Sequence, residues 1–103
     1  MSDATPYFAV WARDRPGMLH ERLRVREAHR ARLQAGAPGV RVLLGGPMLD
    51  ERGEMSGSLL VIEAAAVEDV RAFVAGDPYT EAGVYDPGSI QILPWQWGIG
   101  RPA

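Results

Sequence analysis

Glycine and proline cut this chain into short pieces, and those pieces limit what it can fold into. Twelve glycines and eight prolines separate four apolar runs from two stretches that contain neither residue. Tyr7-Phe8-Ala9-Val10-Trp11-Ala12 is aromatic and β-branched and reads as a strand buried on both faces. Arg15-Pro16-Gly17 breaks it. Good helix formers then run from Leu19 to Gln34, with Gly36 placed to end the helix. Val40-Arg41-Val42-Leu43-Leu44 reads as a second strand, closed by Gly45-Gly46-Pro47. Asp50-Glu51-Arg52-Gly53 has the composition of a hairpin tip, and Ser58 to Glu63 forms a third strand. A second helix is predicted over Val67–Ala75, because Val67, Val70, Phe73 and Val74 recur as one stripe. Glu68 and Asp69 suit its first turn, and Gly76-Asp77-Pro78 stops it, since proline drives residue 77 out of the α region. Ser89 to Leu93 begins a fourth strand, and Pro94, which has no N–H to donate, confines that strand to an edge or a bulge.

The order is therefore β-α-β-β-α-β. This is the ferredoxin-like α+β pattern, a four-stranded antiparallel sheet with both helices on one face. The length of 103 residues fits one domain. Nothing in the chain covers the second sheet face, where Trp11, Trp95 or Trp97 would form an apolar patch. A homodimer that stacks sheet on sheet is the expected remedy.

Composition narrows the chemistry. The chain has no cysteine, so disulfides, thiolate nucleophiles and zinc–thiolate sites are excluded. All 11 basic residues are arginine, which removes Schiff-base and phosphate-loop lysines. The net charge is −2, whereas a nucleic-acid binder would be basic overall. Charge is uneven, however. Residues 13–32 hold seven arginines against Asp14, Glu21 and Glu27, a segment suited to attracting a small anion or pairing with acids elsewhere. No run approaches the ~20 apolar residues of a membrane helix. No basic segment followed by an apolar run marks a signal peptide, so a cytoplasmic protein is expected. Gly45-Gly46-Pro47 opens no helix and no dinucleotide fingerprint is present, so no cofactor is expected.

Only two histidines are available for proton transfer. His20 and His29 are nine residues apart, about 2.5 helical turns. They therefore face opposite sides of the first helix, and no metal site is expected. Leu19, Leu23 and Leu33 mark an apolar stripe on this helix, but Arg26 and Arg30 interrupt it. Two readings follow. Arginine stems can snorkel over an apolar base, or the helix can face a polar pocket in which His29 is an acid/base and Arg22 or Arg26 clamps an anion. Asp77 is also open to two readings. An Asx turn before Pro78 explains it, as does a carboxylate that fixes a histidine tautomer. Ser58, Tyr79 and Tyr85 are hydrogen-bond donors available to a substrate oxygen.

Three segments together resemble the YciI-like family: Val25-Arg26-Glu27-Ala28-His29-Arg30-Ala31-Arg32-Leu33, Gly45-Gly46-Pro47 with Gly57-Ser58, and Asp77-Pro78-Tyr79-Thr80-Glu81-Ala82-Gly83-Val84-Tyr85. The similarity spans about residues 6–97 of a single domain over 1–103. It implies a dimeric ferredoxin-like fold related to muconolactone isomerases, with a His–Asp dyad that falls on His29 and Asp77. One branch of the family is similar to a dehydrochlorinase of chlorinated hydroxyhydroquinone. Arg30 departs from the family pattern, which commonly has an apolar residue after the histidine. The resemblance implies a cofactor-independent lyase or isomerase acting on a small cyclic or anionic metabolite. A non-catalytic dimeric binding module and a cofactor-free monooxygenase are the alternatives.

Overall fold

The computed structural model describes residues 6–100. Four strands, β1 (Tyr7–Arg13), β2 (Val40–Leu49), β3 (Met55–Ala64) and β4 (Gln91–Trp95), form one antiparallel sheet in the order β2-β3-β1-β4. Helix α1 (Leu19–Ala35) follows β1. Helix α2 (Val67–Ala75) and a single turn of helix, α3 (Pro78–Glu81), follow β3. The predicted β-α-β-β-α-β order is the observed one, with the α3 turn added.

The strands place alternate residues on opposite faces. Phe8 and Val10 of β1, Leu60 and Ile62 of β3 and Val40 of β2 point toward the helices, where Val70, Phe73 and Val74 of α2 complete the core. Leu33 of α1 packs against the same cluster. A second cluster of Ala12, Tyr79, Val84 and Tyr85 lies under the other part of α1, against Met18 and Val25. On the opposite face Trp11 pairs with Leu59, Ala9 with Leu93, and Leu44 with Val61. Trp11, Leu44, Leu59 and Leu93 are 40–55% exposed there, which is a contiguous apolar patch on a chain this small.

Three local expectations are corrected. First, β2 does not end at Gly45-Gly46-Pro47 but continues to Leu49. Its register slips between Val42 and Leu44, so Leu43 is the extra residue of a bulge and every later side chain changes face. Beyond the bulge Gly45 opposes Leu60 and Pro47 opposes Ser58 on the helix side. Pro47 is tolerated because β2 is an edge strand. A Cβ at Gly45 would come within 2.5 Å of Leu60 Cδ2, so the second strand needs glycine there for space. Second, Leu23 is 53% exposed and does not belong to a buried stripe of α1. The fully buried residues of that helix are Arg22 and His29. Third, Pro87–Ser89 form a 3₁₀ turn and β4 starts only at Gln91. The edge position of β4 accommodates Pro94, as its missing N–H requires.

Candidate active site

The site lies where α1 crosses the α2–α3 corner. Pro78 holds Asp77 in extended backbone, φ −65° and ψ 135°, at the N-cap of α3. The Oδ1 atom of Asp77 accepts from the Tyr79 N–H at 2.8 Å. The Asx-turn reading is therefore observed, and it occupies only part of the carboxylate. The same carboxylate faces His29 Nδ1, with Oδ1 at 2.8 Å and Oδ2 at 3.0 Å. His29 is 6% exposed and Asp77 1%. A carboxylate only accepts, so Nδ1 carries the proton and donates it, and the lone pair of the neutral ring is left on Nε2.

Tyr79 fixes the ring plane. Its ring stacks on His29 with centroids 3.8 Å apart and planes 18° from parallel. The guanidinium of Arg22 lies over the same Tyr79 ring at 4.3 Å. Arg22 and His29 are seven residues apart on α1, about 10 Å along the axis, and the phenol ring fills the space between them. Burial raises the Tyr79 hydroxyl above its ordinary value, with the charges of Arg22 and Arg26 acting against that rise.

Arg22 is 2% exposed and heavily engaged. It forms a two-point bond to Asp14 through Nε (2.7 Å) and Nη2 (3.2 Å). Nη2 also donates to Gly57 O and to Ser58 Oγ, both at 2.7 Å. Its charge is thus neutralised within the fold, and Nη1 carries none of these bonds. Ser58 is buried at the start of the β3 stretch that faces α1. Beside it, Tyr85 Oη is buried and makes no hydrogen bond of good geometry, the Ser58 hydroxyl being the polar group near it.

A cavity of about 340 Å³ opens between α1 and the bulged part of β2. His29, Arg22, Arg26, Ser58 and Tyr79 all line it, whereas Asp77 stands behind His29 and does not. Leu33, Val42 and Pro47 form an apolar wall. No aspartate or glutamate lines the cavity. Arg26 is half-buried there and Arg30 sits at the exposed rim. Among the described residues neither guanidinium is paired with an acid, so positive charge faces the cavity. Arg30 and the Gly45–Pro47 wall were not among the sequence candidates. The signal for the wall was a glycine pair in a strand context, which marks a close approach as well as a turn.

A second and larger cavity, about 590 Å³, lies beside Trp11, Met18 and the β2–β3 tip at Asp50 and contains neither dyad residue. Among the described residues no group of three or more His, Asp or Glu side chains is arranged to hold a metal ion. Among the described residues no helix is long and apolar enough to cross a membrane.

Comparison with known proteins agrees with this architecture. The chain is 36% identical over 90 residues to Protein YciI of Escherichia coli O6:H1, covering 82% of this chain and 92% of that protein. It is 35% identical over 85 residues to an uncharacterised protein of Haemophilus influenzae, covering 77% and 87%. Among solved structures it is similar to the 5-chloro-2-hydroxyhydroquinone dehydrochlorinase of Burkholderia phenoliruptrix, solved in complex with 2,5-dihydroxybenzoquinone, with 32% identity and a TM-score of 0.76 over 89% of this chain and 95% of that one. A proposed antibiotic biosynthesis monooxygenase of Caulobacter crescentus shares the fold at 18% identity and a TM-score of 0.56, covering 91% and 93%. The model of the YCII-related domain matches residues 7–96, nearly the whole described chain, and the protein belongs to that family.

Proposed function

We propose that the protein is a cofactor-independent acid/base enzyme, a lyase or isomerase acting on a small cyclic or anionic metabolite. The observation that carries this reading is the buried Nδ1–carboxylate contact of His29 and Asp77, 2.8 Å long, on the wall of a cavity with uncompensated arginines. His29 Nε2 takes a proton from a carbon next to a carbonyl, and the electron pair left behind forms an enolate. Asp77 holds the ring in the tautomer that presents Nε2 and stabilises the imidazolium that results. Arg26 balances the negative oxygen, with Arg30 adding charge at the rim. Ser58, Tyr79 and Arg22 form the polar floor, and because Arg22 is already paired with Asp14 it shapes the floor more than it adds charge. The enolate then either expels a leaving group β to it, which is elimination, or is reprotonated at another carbon, which is isomerisation. The similarity to a dehydrochlorinase supports the elimination branch as the first to test.

We further propose that the protein works as a cytoplasmic homodimer joined through the face carrying Trp11, Leu44, Leu59 and Leu93. Stacking two such patches removes from water the surface that the chain cannot cover itself. Sedimentation of wild type and Trp11→Asp tests this. A dimer that becomes a monomer on substitution supports it, and a wild-type monomer overturns it.

The activity test is a panel of hydroxyquinols, halogenated hydroxyquinols and small cyclic carboxylic acids, assayed for turnover and for binding in wild type and His29→Ala. Turnover that His29→Ala abolishes supports the enzyme. Ligands that bind both proteins equally, with no turnover by either, would overturn it in favour of a binding module.

A further inference from the structure

Gly76 poses a question that its backbone does not answer. Its φ and ψ, −90° and 3°, are open to any residue. The side-chain space explains it instead. A Cβ at this position would lie 2.7 Å from Nη2 and 3.2 Å from Cζ of Arg32. Gly76 is therefore a slot through which the Arg32 guanidinium reaches the end of α2.

What Arg32 reaches is specific. Its Nη2 donates to the carbonyl of Phe73 at 3.0 Å, and its guanidinium lies over the Phe73 ring at 4.6 Å. The last turn of a helix has carbonyls with no partner within the helix. Here the Val74 carbonyl accepts from the Asp77 N–H and from Thr80 Oγ1, and the Ala72 carbonyl from the Gly76 N–H. The Phe73 carbonyl is taken by Arg32, from another helix. No basic residue of α2 itself lies in its last turn, so Arg32 also brings the positive charge that a helix C-terminus favours. The contact has a cost, since Arg32 Nε is buried without a partner.

Arg32 is three residues after His29, on the same side of α1. Besides its ring and apolar contacts, the helix therefore hydrogen-bonds to the α2–α3 corner at two places, through His29 to Asp77 and through Arg32 to Phe73 O. The two anchored groups on the corner, Phe73 and Asp77, flank Gly76. We infer that Arg32 is a positioning residue, which, seated in the Gly76 slot, fixes the Asp77 carboxylate against His29 Nδ1. This rests on the dyad reading of the site. The His29–Asp77 bond and the Tyr79 stack hold the corner only on its α3 side, which leaves the α2 end free to shift. A second tether from the same helix removes that freedom.

The readout is the tautomer of His29, from ring ¹⁵N shifts in the full chain labelled at histidine. Wild type shows the single Nδ1–H pattern. Arg32→Met and Gly76→Ala are expected to lose it and give a mixture of tautomers, as Asp77→Asn does. Arg32→Lys, which restores a donor and a charge near the Phe73 carbonyl, recovers most of it. If Arg32→Met does not fold, Gly76→Ala reads the same effect, because a single methyl displaces the guanidinium with every donor retained. A wild-type tautomer in Gly76→Ala, and in Arg32→Met where it folds, with Asp77→Asn altered, overturns the positioning role and leaves the dyad intact. An unaltered tautomer in Asp77→Asn overturns both.

Discussion

The two long helices lie on the same face of the sheet and are built on opposite plans. Helix α2 buries Val70, Phe73 and Val74. Helix α1, nearly twice as long, buries only Arg22 and His29 completely. A helix held by packing keeps its polar side to water and needs no partner for any buried atom. One that buries a guanidinium and an imidazole must find a partner for each, because an unpaired polar group loses its water and gains nothing. Those partners lie outside the helix: Asp14, just after β1, and Ser58 of β3 for Arg22, and Asp77 for His29. Helix α2 thus contributes the interior, and α1 contributes the polar wall of the cavity. The polar interior of α1 makes that half of the molecule both more specific in geometry and more vulnerable to single substitutions.

The largest effects should separate the two halves by kind. His29→Ala is expected to lower turnover by about 10²–10⁴-fold, the usual contribution of a positioned acid/base group, while circular dichroism still reports a folded chain. Steady-state assay on any substrate that wild type turns over checks this. Arg22→Met should instead cost stability, about 3–5 kcal/mol, since Asp14 is left buried without its counter-charge. Urea unfolding measures it. Asp14→Leu combined with Arg22→Met should recover most of that loss, because the isolated charge is then gone. On the α2 side, Val70→Ala removes two methyl groups from a residue with no exposure. The expected loss is about 2 kcal/mol, with ligand binding by the folded protein unchanged. A Val70→Ala protein of normal stability but altered binding would break the division between the helices.

How much of this was legible in the sequence follows the same division. Helix α2 could be read to the residue, because its four-residue apolar stripe and the Gly76-Asp77-Pro78 stop are local signals. The bulge at Leu43 could not. Val40–Leu44 is nearly continuous in apolar residues, so it has no alternation from which a register slip would show. On α1 the interrupted stripe at Arg26 and Arg30 was visible, but its meaning was not. A polar residue at a core-facing position reads equally as a snorkelling stem or a cavity wall until the opposing surface is known. The depth of Arg22 depended on Asp14, just beyond β1, and on Ser58 across the sheet. Asp77 was legible as a turn residue, and its contact with a histidine 48 residues earlier came from resemblance, since no local rule links them. Gly76 was read as a helix stop, when its spatial role is to admit Arg32.

The smallest expected effect tests whether every buried polar atom on the α1 side is needed. Tyr85 Oη has no hydrogen bond of good geometry, only the Ser58 hydroxyl near it, which Arg22 already engages. Removing a hydroxyl held only by that loose contact forfeits little, so Tyr85→Phe should leave stability at pH 7 within about 1 kcal/mol of wild type, or raise it. The effect of pH is larger. Burial, and then the charge of Asp77, push the Tyr85 phenol well above the ordinary tyrosine value of 10.0, and burial raises Tyr79 as well. Below about pH 10 both phenols are protonated whether the chain is folded or not, so their contribution to stability is fully present. Above that, the unfolded phenols release protons that the folded ones keep, and stability falls as pH rises, by at most about 1.4 kcal/mol per pH unit for each phenol. This chain is well suited to the measurement. It has no lysine and no cysteine and only three tyrosines, so few other side chains titrate between pH 9 and 12. Urea midpoints at pH 8 and pH 11 should differ clearly for wild type and much less for Tyr85→Phe. Equal pH slopes in the two proteins would mean that the Tyr85 hydroxyl has found a partner, and that the α1 side leaves no buried hydroxyl unpaired.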